Sequence, residues 1–217
     1  MKNNKLFIAS FILNILTFLL VLVGVIVMIT IGSKALGETN ITVFKYFTFQ
    51  SNIFMGVVAF IYGWYQLLII LSKRDKIPHV LLVFNHVGVT AVGLTFLIVI
   101  LFLAPGYGFD KMYNNANLFF HALVPIVAMI NFMFLEKECS IKFKETFFSI
   151  VPSLLYGIVY FIVVVATNGY GNINIDFYMF GANGPVIGAL NFIAVMSIAY
   201  GFGVLIYFVN RLVFKKR

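Results

Sequence analysis

The chain has 217 residues, of which 62% are hydrophobic, 18% aromatic and only 10% charged. Soluble proteins carry about 25% charged residues, so this composition excludes a water-soluble domain. It also excludes a disordered chain, which needs low hydrophobicity and high net charge. The single cysteine, Cys139, excludes a disulfide-stapled module and a redox pair. The composition predicts an integral membrane protein.

Six continuous apolar stretches divide the chain. A membrane-spanning helix needs about 20 largely apolar residues, and six segments meet that requirement: 6–31, 44–71, 80–103, 117–135, 146–167 and 185–209. Apart from Lys45, none of them contains Asp, Glu, Lys or Arg. The strands of a membrane β-barrel would instead alternate polar and apolar residues over about ten positions. We therefore predict an all-α membrane protein in which residues 1–217 form a single six-helix bundle.

The net charge of +8 is distributed unevenly over the loops. One side of the predicted bundle holds twelve of the fifteen basic residues: Lys2, Lys5, Lys73, Arg74, Lys76, Lys137, Lys142, Lys144, Arg211, Lys215, Lys216 and Arg217. The other side holds three: Lys34, Lys45 and Lys111. The positive-inside rule then predicts that both termini and two short basic loops lie in the cytoplasm. The surplus charge is explained by orientation, anionic lipid headgroups are secondary partners, and no nucleic-acid partner is expected.

Polar side chains inside the predicted spans indicate a functional site, because an ionisable residue in hydrocarbon is costly. His121 lies about one turn into the fourth span and His86 lies within the third. The second span begins with the most polar cluster of any, KYFTFQSN. Within it Thr48, Ser51 and Asn52 stand at positions i, i+3 and i+4, so they share one helical face. We expect this face to point into the bundle.

The predicted topology brings Thr48 and His121 to one depth. The second and fourth spans enter from the same side, and each residue lies about four positions, or roughly 6 Å of rise, from the start of its span. His86 enters from the opposite side and lies about 15 Å from that level in a core of about 30 Å. Asn117, one turn before His121, is expected to hydrogen-bond the imidazole and fix its tautomer.

These residue types suit nucleophilic catalysis. A threonine hydroxyl becomes a nucleophile when a neutral imidazole accepts its proton, so Thr48 and His121 form a candidate catalytic dyad. A triad would add a carboxylate, but all seven acidic residues lie in predicted loops, and only Glu38, Asp110 and Asp176 are on the same side. Ser51 or Asn52 is a candidate donor to a developing oxyanion.

Structural roles compete with these assignments. A threonine in a membrane helix usually donates to the carbonyl four residues earlier, and Ser or Asn often links helices. For His86 and its neighbour Asn85, a structural role is favoured over a catalytic one. Tyr113 and Tyr178 belong to a set of aromatic residues expected at the outer membrane surface.

The motif KYFTFQSN followed by NLFFHALVP resembles the androgen-induced protein family of six-span intramembrane threonine hydrolases and its bacterial relatives. The resemblance covers most of the chain and implies that Thr48 is the nucleophile and His121 its partner. It also implies a lipid ester with a long acyl group as substrate and no metal or organic cofactor. The segment 176–180 matches the family's aromatic and proline-rich segment only loosely, so the substrate mouth is expected to differ.

The sequence therefore predicts an intramembrane esterase acting on a lipid or fatty-acyl substrate near the outer leaflet. Two alternatives remain open. One is a membrane protein that binds or transports a lipid or small solute without catalysis, for which broken helices with paired glycines would be typical. The other is a membrane acyltransferase that uses the same dyad and passes the acyl group to a lipid alcohol instead of water.

Overall fold

A computed structural model describes residues 5–32, 40–137 and 139–214, and all of their regular elements are helices. Six of these helices are long and apolar enough to cross a membrane: α1 (Lys5–Thr30), α2 (Phe47–Ile70), α3 (His79–Tyr107), α4 (Ala116–Leu135), α5 (Phe143–Ala166) and α6 (Pro185–Val213). The prediction of six helices that are long and apolar enough to cross a membrane is confirmed. The largest differences in their bounds are 103 against 107 in α3 and 209 against 213 in α6.

Local sequence explains where several helices begin and end. Tyr46 is extended, with φ −85° and ψ 135°, and α2 begins directly after it. Gly108 follows the end of α3 with φ +97°, a conformation that favours glycine. Gly184 has φ +93° just before α6. Pro185 then occupies the first turn of α6, where its missing N–H leaves no helical hydrogen bond unmade.

Helix α3 forms the centre of the bundle and packs against α2, α4, α5 and α6. In its most apolar stretch 61% of the residues are buried, against 22% in α6, which lies at the periphery. Glycines allow close approach of neighbouring helices. A Cβ atom on Gly24 would meet the Phe120 ring at 2.7 Å, and one on Gly56 would meet Val21 at 2.8 Å. The contact with Gly24 sets the position of α4 next to His121.

Helix α4 contains two π-helical turns, Phe119–Leu123 and Asn131–Leu135. A π turn adds one residue to the hydrogen-bonded ring, so it leaves carbonyl groups available to other partners. The Phe120 carbonyl accepts a hydrogen bond from Asn52 of α2 at 3.2 Å. The Phe132 carbonyl accepts one from Asn210 of α6 at 2.6 Å. Each π turn is thus joined by an asparagine to another helix.

A buried carboxylate joins three helices at the end of the bundle where α4 ends. Glu136 directly follows α4 and is only 3% exposed. Its two carboxylate oxygens accept hydrogen bonds from Asn85 of α3 at 2.5 Å and from Asn131 of α4 at 3.0 Å. Asn210 of α6 donates to its backbone carbonyl at 3.2 Å. Glu136 lies in the connection after α4, as predicted, but its side chain is buried in the interior of the bundle.

The described basic residues lie at the two ends of the bundle to which the sequence assigns them. Those of the larger group lie at the beginnings of α1 and α5, in the α2–α3 and α4–α5 connections and near the end of α6. Lys45 and Lys111 lie between helix ends on the opposite side. The candidate acid Glu38 lies outside the described residues. So do five of the basic residues in the charge count: Lys2, Lys34, Lys215, Lys216 and Arg217.

We expect Glu136→Ala to destabilise the bundle. The substitution leaves the Asn85 and Asn131 amide groups buried without an acceptor, at a cost of about 1–3 kcal/mol for each unsatisfied group. Thermal unfolding of the detergent-solubilised protein should therefore show a clearly lower Tm. Asp110→Ala is the matched control because Asp110 is exposed. Equal Tm values for the two variants would contradict a structural role for Glu136.

Candidate active site

Thr48 lies in the first turn of α2, and its side chain is half-buried. Six of the other described threonines donate their hydroxyl to a backbone carbonyl three or four residues earlier: Thr17, Thr30, Thr90, Thr95, Thr146 and Thr167. Within the described part of the chain, the Thr48 hydroxyl has no such partner. The usual structural role of a helical threonine therefore does not apply to Thr48.

The beginning of α2 explains this difference. The carbonyl four residues before Thr48 belongs to Phe44, which precedes the helix and accepts the Gln50 side-chain amide at 2.7 Å. The backbone N–H groups at the start of a helix also lack helical acceptors. Phe47 donates its N–H to the Tyr178 hydroxyl at 2.9 Å, while those of Phe49 and Gln50 donate to the Tyr46 carbonyl. The Thr48 N–H has no acceptor among the described residues.

His121 lies inside the first π turn of α4 and is 7% exposed. Its Nδ1 lies 2.7 Å from the Met112 carbonyl oxygen. A carbonyl only accepts, so Nδ1 carries the proton and, in the neutral ring, Nε2 carries the lone pair. No described residue hydrogen-bonds to Nε2. The tautomer is the one that a general base needs if Nε2 faces the reacting hydroxyl.

The expectation that Asn117 fixes this tautomer is wrong, because the Met112 carbonyl does so. Asn117 directs its amide nitrogen to the Lys111 carbonyl at 3.1 Å instead. The prediction assumed a regular α-helix, in which residues four apart lie on one face. The π turn at Phe119–Leu123 begins between Asn117 and His121 and changes that relationship. Asn117 still lines the same cavity as His121.

A cavity of about 380 Å³, the polar cavity, is lined by both Thr48 and His121. The structure thus brings the two residues of the predicted dyad to one space. Lys45 is the one charged residue among the described residues that line it. Its ammonium nitrogen lies 5.1 Å from the ring centroids of both Tyr46 and Phe177, which also line the cavity.

Thr48 also lines a second cavity of about 400 Å³, the apolar cavity, between α3, α5 and α6. Its walls are largely aliphatic and aromatic and include Phe102, Phe192 and Val195. Only Thr48, Leu103 and Tyr178 line both the polar and the apolar cavity within the described chain. Thr48 therefore lies where the two cavities adjoin.

A third cavity of about 640 Å³, the lateral cavity, lies between α2, α5 and the α5–α6 connection. Lys45 and Phe177 line both it and the polar cavity. Its outer wall includes Leu155 and Val159, which are 60% and 63% exposed on the apolar surface of α5. This cavity therefore lies between the exposed apolar surface of α5 and the polar cavity.

Ser51 and Asn52 do not line the polar cavity, contrary to the expectation that one of them donates to an oxyanion. The Ser51 hydroxyl lies 3.1 Å from the Thr48 carbonyl oxygen and 3.3 Å from the Thr95 hydroxyl. The Asn52 amide donates to the Thr48 carbonyl at 2.8 Å and to the Phe120 carbonyl at 3.2 Å. Asn52 thereby connects the backbone of Thr48 with that of the residue before His121. Both side chains thus hydrogen-bond to the backbone carbonyl of Thr48.

The secondary candidates His86 and Asn85 have structural contacts. His86 is fully buried, and its Nε2 donates to the Gly203 carbonyl of α6 at 2.9 Å. Its Nδ1 is buried without a partner among the described residues. Asn85 holds Glu136 as described above. Neither residue lines the polar cavity, so the preference for structural roles agrees with their contacts.

The outer carboxylates do not complete a triad among the described residues. Asp176 is fully buried, but it accepts hydrogen bonds from the Tyr160 hydroxyl and from the N–H groups of Gly171 and Gly181. Asp110 is exposed. Within the described ranges no group of three or more His, Cys, Asp or Glu side chains could hold a metal ion.

Two groups of the site, the Met112 carbonyl and the Tyr178 side chain, could not be identified from the sequence. The Met112 carbonyl is a backbone group that any residue provides, so no side-chain pattern signals it. Tyr178 was expected at the outer membrane surface, whereas its ring lines the polar cavity and its hydroxyl contacts the start of α2. The match of segment 176–180 to the family's aromatic segment was the one available signal for Tyr178.

Comparisons with protein-family models, with curated proteins and with solved structures found no match for this chain.

The two buried histidines are predicted to be opposite tautomers. His121 should carry its proton on Nδ1 and His86 on Nε2, because in each case that nitrogen faces a carbonyl oxygen. Nitrogen NMR of protein labelled with ¹⁵N-histidine distinguishes protonated from unprotonated ring nitrogens. His121→Gln and His86→Gln assign the signals, and exposed His79 serves as an internal reference. Protonation of His121 at Nε2 would argue against its use as a base.

Proposed function

We propose that this protein is an intramembrane lipid esterase in which Thr48 is the nucleophile and His121 the general base. One observation carries the proposal. Thr48, with a hydroxyl free of its own helix, and His121, with an available Nε2 lone pair, line the same cavity. The likeness of KYFTFQSN and NLFFHALVP to the androgen-induced protein family supports the same assignment, and we propose that this chain is a bacterial relative of those six-span hydrolases.

In the first step, His121 Nε2 accepts the Thr48 proton while the threonine oxygen bonds to the acyl carbon. The carbonyl oxygen becomes an oxyanion beside the Thr48 N–H and the positive end of the α2 dipole. The Met112 carbonyl keeps its hydrogen bond from the Nδ1–H of the imidazolium that forms. When the tetrahedral intermediate collapses, the imidazolium gives its proton to the departing alcohol oxygen.

In the second step, water releases the acyl group from Thr48. His121 Nε2 accepts a proton from the water as its oxygen bonds to the acyl carbon. Collapse of this second intermediate breaks the bond to Thr48, and the proton on Nε2 returns to the threonine oxygen. The products are a fatty acid and an alcohol, and the dyad is restored. The reaction as written needs no metal or organic cofactor.

The proposed substrate is a lipid ester with a long acyl chain. The apolar cavity adjoins Thr48 and is walled by aliphatic and aromatic side chains, which suits an acyl chain. The polar cavity, with Lys45 and Asn117, suits the more polar alcohol part. The distribution of basic residues supports cytoplasmic termini, so the dyad would face the outer leaflet of a bacterial plasma membrane.

Thr48→Ala is expected to abolish turnover, since it removes the attacking oxygen. The assay is release of fatty acid from a p-nitrophenyl long-chain ester by purified protein in detergent, with fluorophosphonate labelling as a second readout. Thr48→Ser retains a hydroxyl and should keep part of the activity. Thr30→Ala is the matched control because Thr30 lies on α1 away from the described cavities.

The outcomes separate the proposal from its rivals. Turnover by Thr48→Ala equal to wild type would refute the threonine mechanism. Saturable lipid binding by wild type, without turnover or labelling, would instead indicate a binding protein. Acyl transfer to an added lipid alcohol in preference to water, lost in Thr48→Ala, would identify an acyltransferase that uses the same dyad.

Ala194→Phe is expected to shift chain-length preference toward shorter acyl groups, because Ala194 lines the apolar cavity and a phenyl ring would occupy part of it. We expect kcat/KM to fall about tenfold or more for long-chain esters, which corresponds to roughly 1.4 kcal/mol, and to change little for short-chain esters. Ala189→Phe is the matched control on the exposed surface of the same helix. An equal loss for all chain lengths would contradict an acyl-binding role for this cavity.

A further inference from the structure

Tyr178 is held at the start of α2, next to the proposed nucleophile. Its hydroxyl oxygen accepts the N–H of Phe47 at 2.9 Å, and Phe47 directly precedes Thr48. The contact joins residues 131 positions apart, so the α5–α6 connection folds back over the first turn of α2. Tyr178 is also one of the three described residues that line both the polar and the apolar cavity.

A buried hydrogen-bond network keeps Tyr178 in this position. The Tyr178 N–H donates to the Tyr160 hydroxyl at 3.2 Å, and that hydroxyl donates to the buried Asp176 carboxylate. Asp176 also accepts the N–H groups of Gly171 and Gly181 at 3.0 and 2.9 Å, which closes the connection around it. The phenol is therefore preorganised, as a group that stabilises a transition state must be.

The state of the Tyr178 hydroxyl suits hydrogen-bond donation. Its oxygen accepts the Phe47 N–H, and the neighbouring Tyr156 hydroxyl, which donates to the Lys45 carbonyl at 2.6 Å, also interacts with it. A ligand oxygen in the polar cavity would receive the Tyr178 proton in place of Tyr156. Burial raises the pKa of Tyr178 to about 12, so the phenol stays protonated at neutral pH. A neutral donor at the junction of the cavities is suitably placed for a carbonyl oxygen whose acyl chain extends into the apolar cavity.

We propose that Tyr178 is a further catalytic residue, whose hydroxyl donates to the oxyanion that forms when Thr48 attacks the substrate carbonyl. The inference rests on the proposed esterase function. Two donors then form the oxyanion hole, the Thr48 N–H and the Tyr178 hydroxyl. The bond from Phe47 holds the phenol beside the first donor. No covalent bond to Tyr178 is formed, and its proton stays on the phenol throughout.

Tyr178→Phe tests this role. We expect kcat for a long-chain ester to fall about 100-fold, as on loss of one oxyanion donor, with KM close to that of wild type. Tyr170→Phe, in the same connection, is the matched control because Tyr170 lies outside the described cavities. Affinity for a long-chain boronic acid, which forms a tetrahedral adduct with the nucleophile, should fall with kcat, whereas affinity for the non-hydrolysable ether analogue should not.

A second substitution keeps the phenol oxygen and so preserves the contact with Phe47. A trifluorinated tyrosine at position 178 has a much more acidic hydroxyl, which ionises at lower pH and then cannot donate. The pH profile of kcat, followed as fatty-acid release, should acquire a loss of activity at alkaline pH that wild type lacks over the same range. The same residue at position 170 should leave the profile unchanged. A merely structural tyrosine would produce no such loss.

The outcomes distinguish this inference from the proposed function. Full kcat in Tyr178→Phe, or an unchanged pH profile with the trifluorinated residue, would overturn the inference while a requirement for Thr48 stands. Activity independent of Thr48 would overturn both. A large fall in kcat together with the new alkaline limb would establish Tyr178 as an oxyanion donor.

Discussion

The cost of burying a polar group without a hydrogen-bond partner is the constraint that organises most of this bundle. Inside an apolar environment, an unsatisfied hydroxyl or amide costs more than it would in water. Threonines therefore donate to the carbonyls of their own helices, and asparagines reach across to the carbonyls that π turns release. Among the threonines whose side chains are described, Thr48 is the one whose hydroxyl has no such bond. Its position at the start of α2 is the reason, because the carbonyls four and three residues earlier precede that helix and accept the Gln50 amide and the Tyr156 hydroxyl.

The same helix start provides two properties that a nucleophile needs. A hydroxyl that already donates to a carbonyl would have to break that bond before giving up its proton, and Thr48 does not. The first turn of a helix also presents unpaired N–H groups and a partial positive charge. Asn52 then links the Thr48 carbonyl to the backbone of α4 beside His121, so one side chain hydrogen-bonds to both of the helices that carry the proposed dyad.

The features that could be predicted from the sequence are those set by local patterns. Hydropathy located six helices because a lipid-facing helix must be apolar along its length, and equal depth brought Thr48 and His121 to one cavity. The prediction for Asn117 was wrong because the π turn at Phe119–Leu123 breaks the regular spacing on which it relied. The Tyr178 contact joins distant parts of the chain, and no local pattern encodes it.

The cost of burying charge also explains why a backbone carbonyl, and not a carboxylate, hydrogen-bonds to His121. An ionised carboxylate in the polar cavity would carry a large desolvation cost, and the buried acids are used elsewhere, Asp176 in the α5–α6 connection and Glu136 among three helices. The Met112 carbonyl orients the imidazole without adding charge. In the proposed mechanism, the oxyanion and the imidazolium form a pair with no net charge during attack, which a weakly polar surrounding tolerates better than a triad's extra negative charge. Because the carbonyl stabilises the imidazolium less than a carboxylate would, that mechanism requires more of the rate enhancement to come from donors to the oxyanion, and the proposed donors lie at the start of α2.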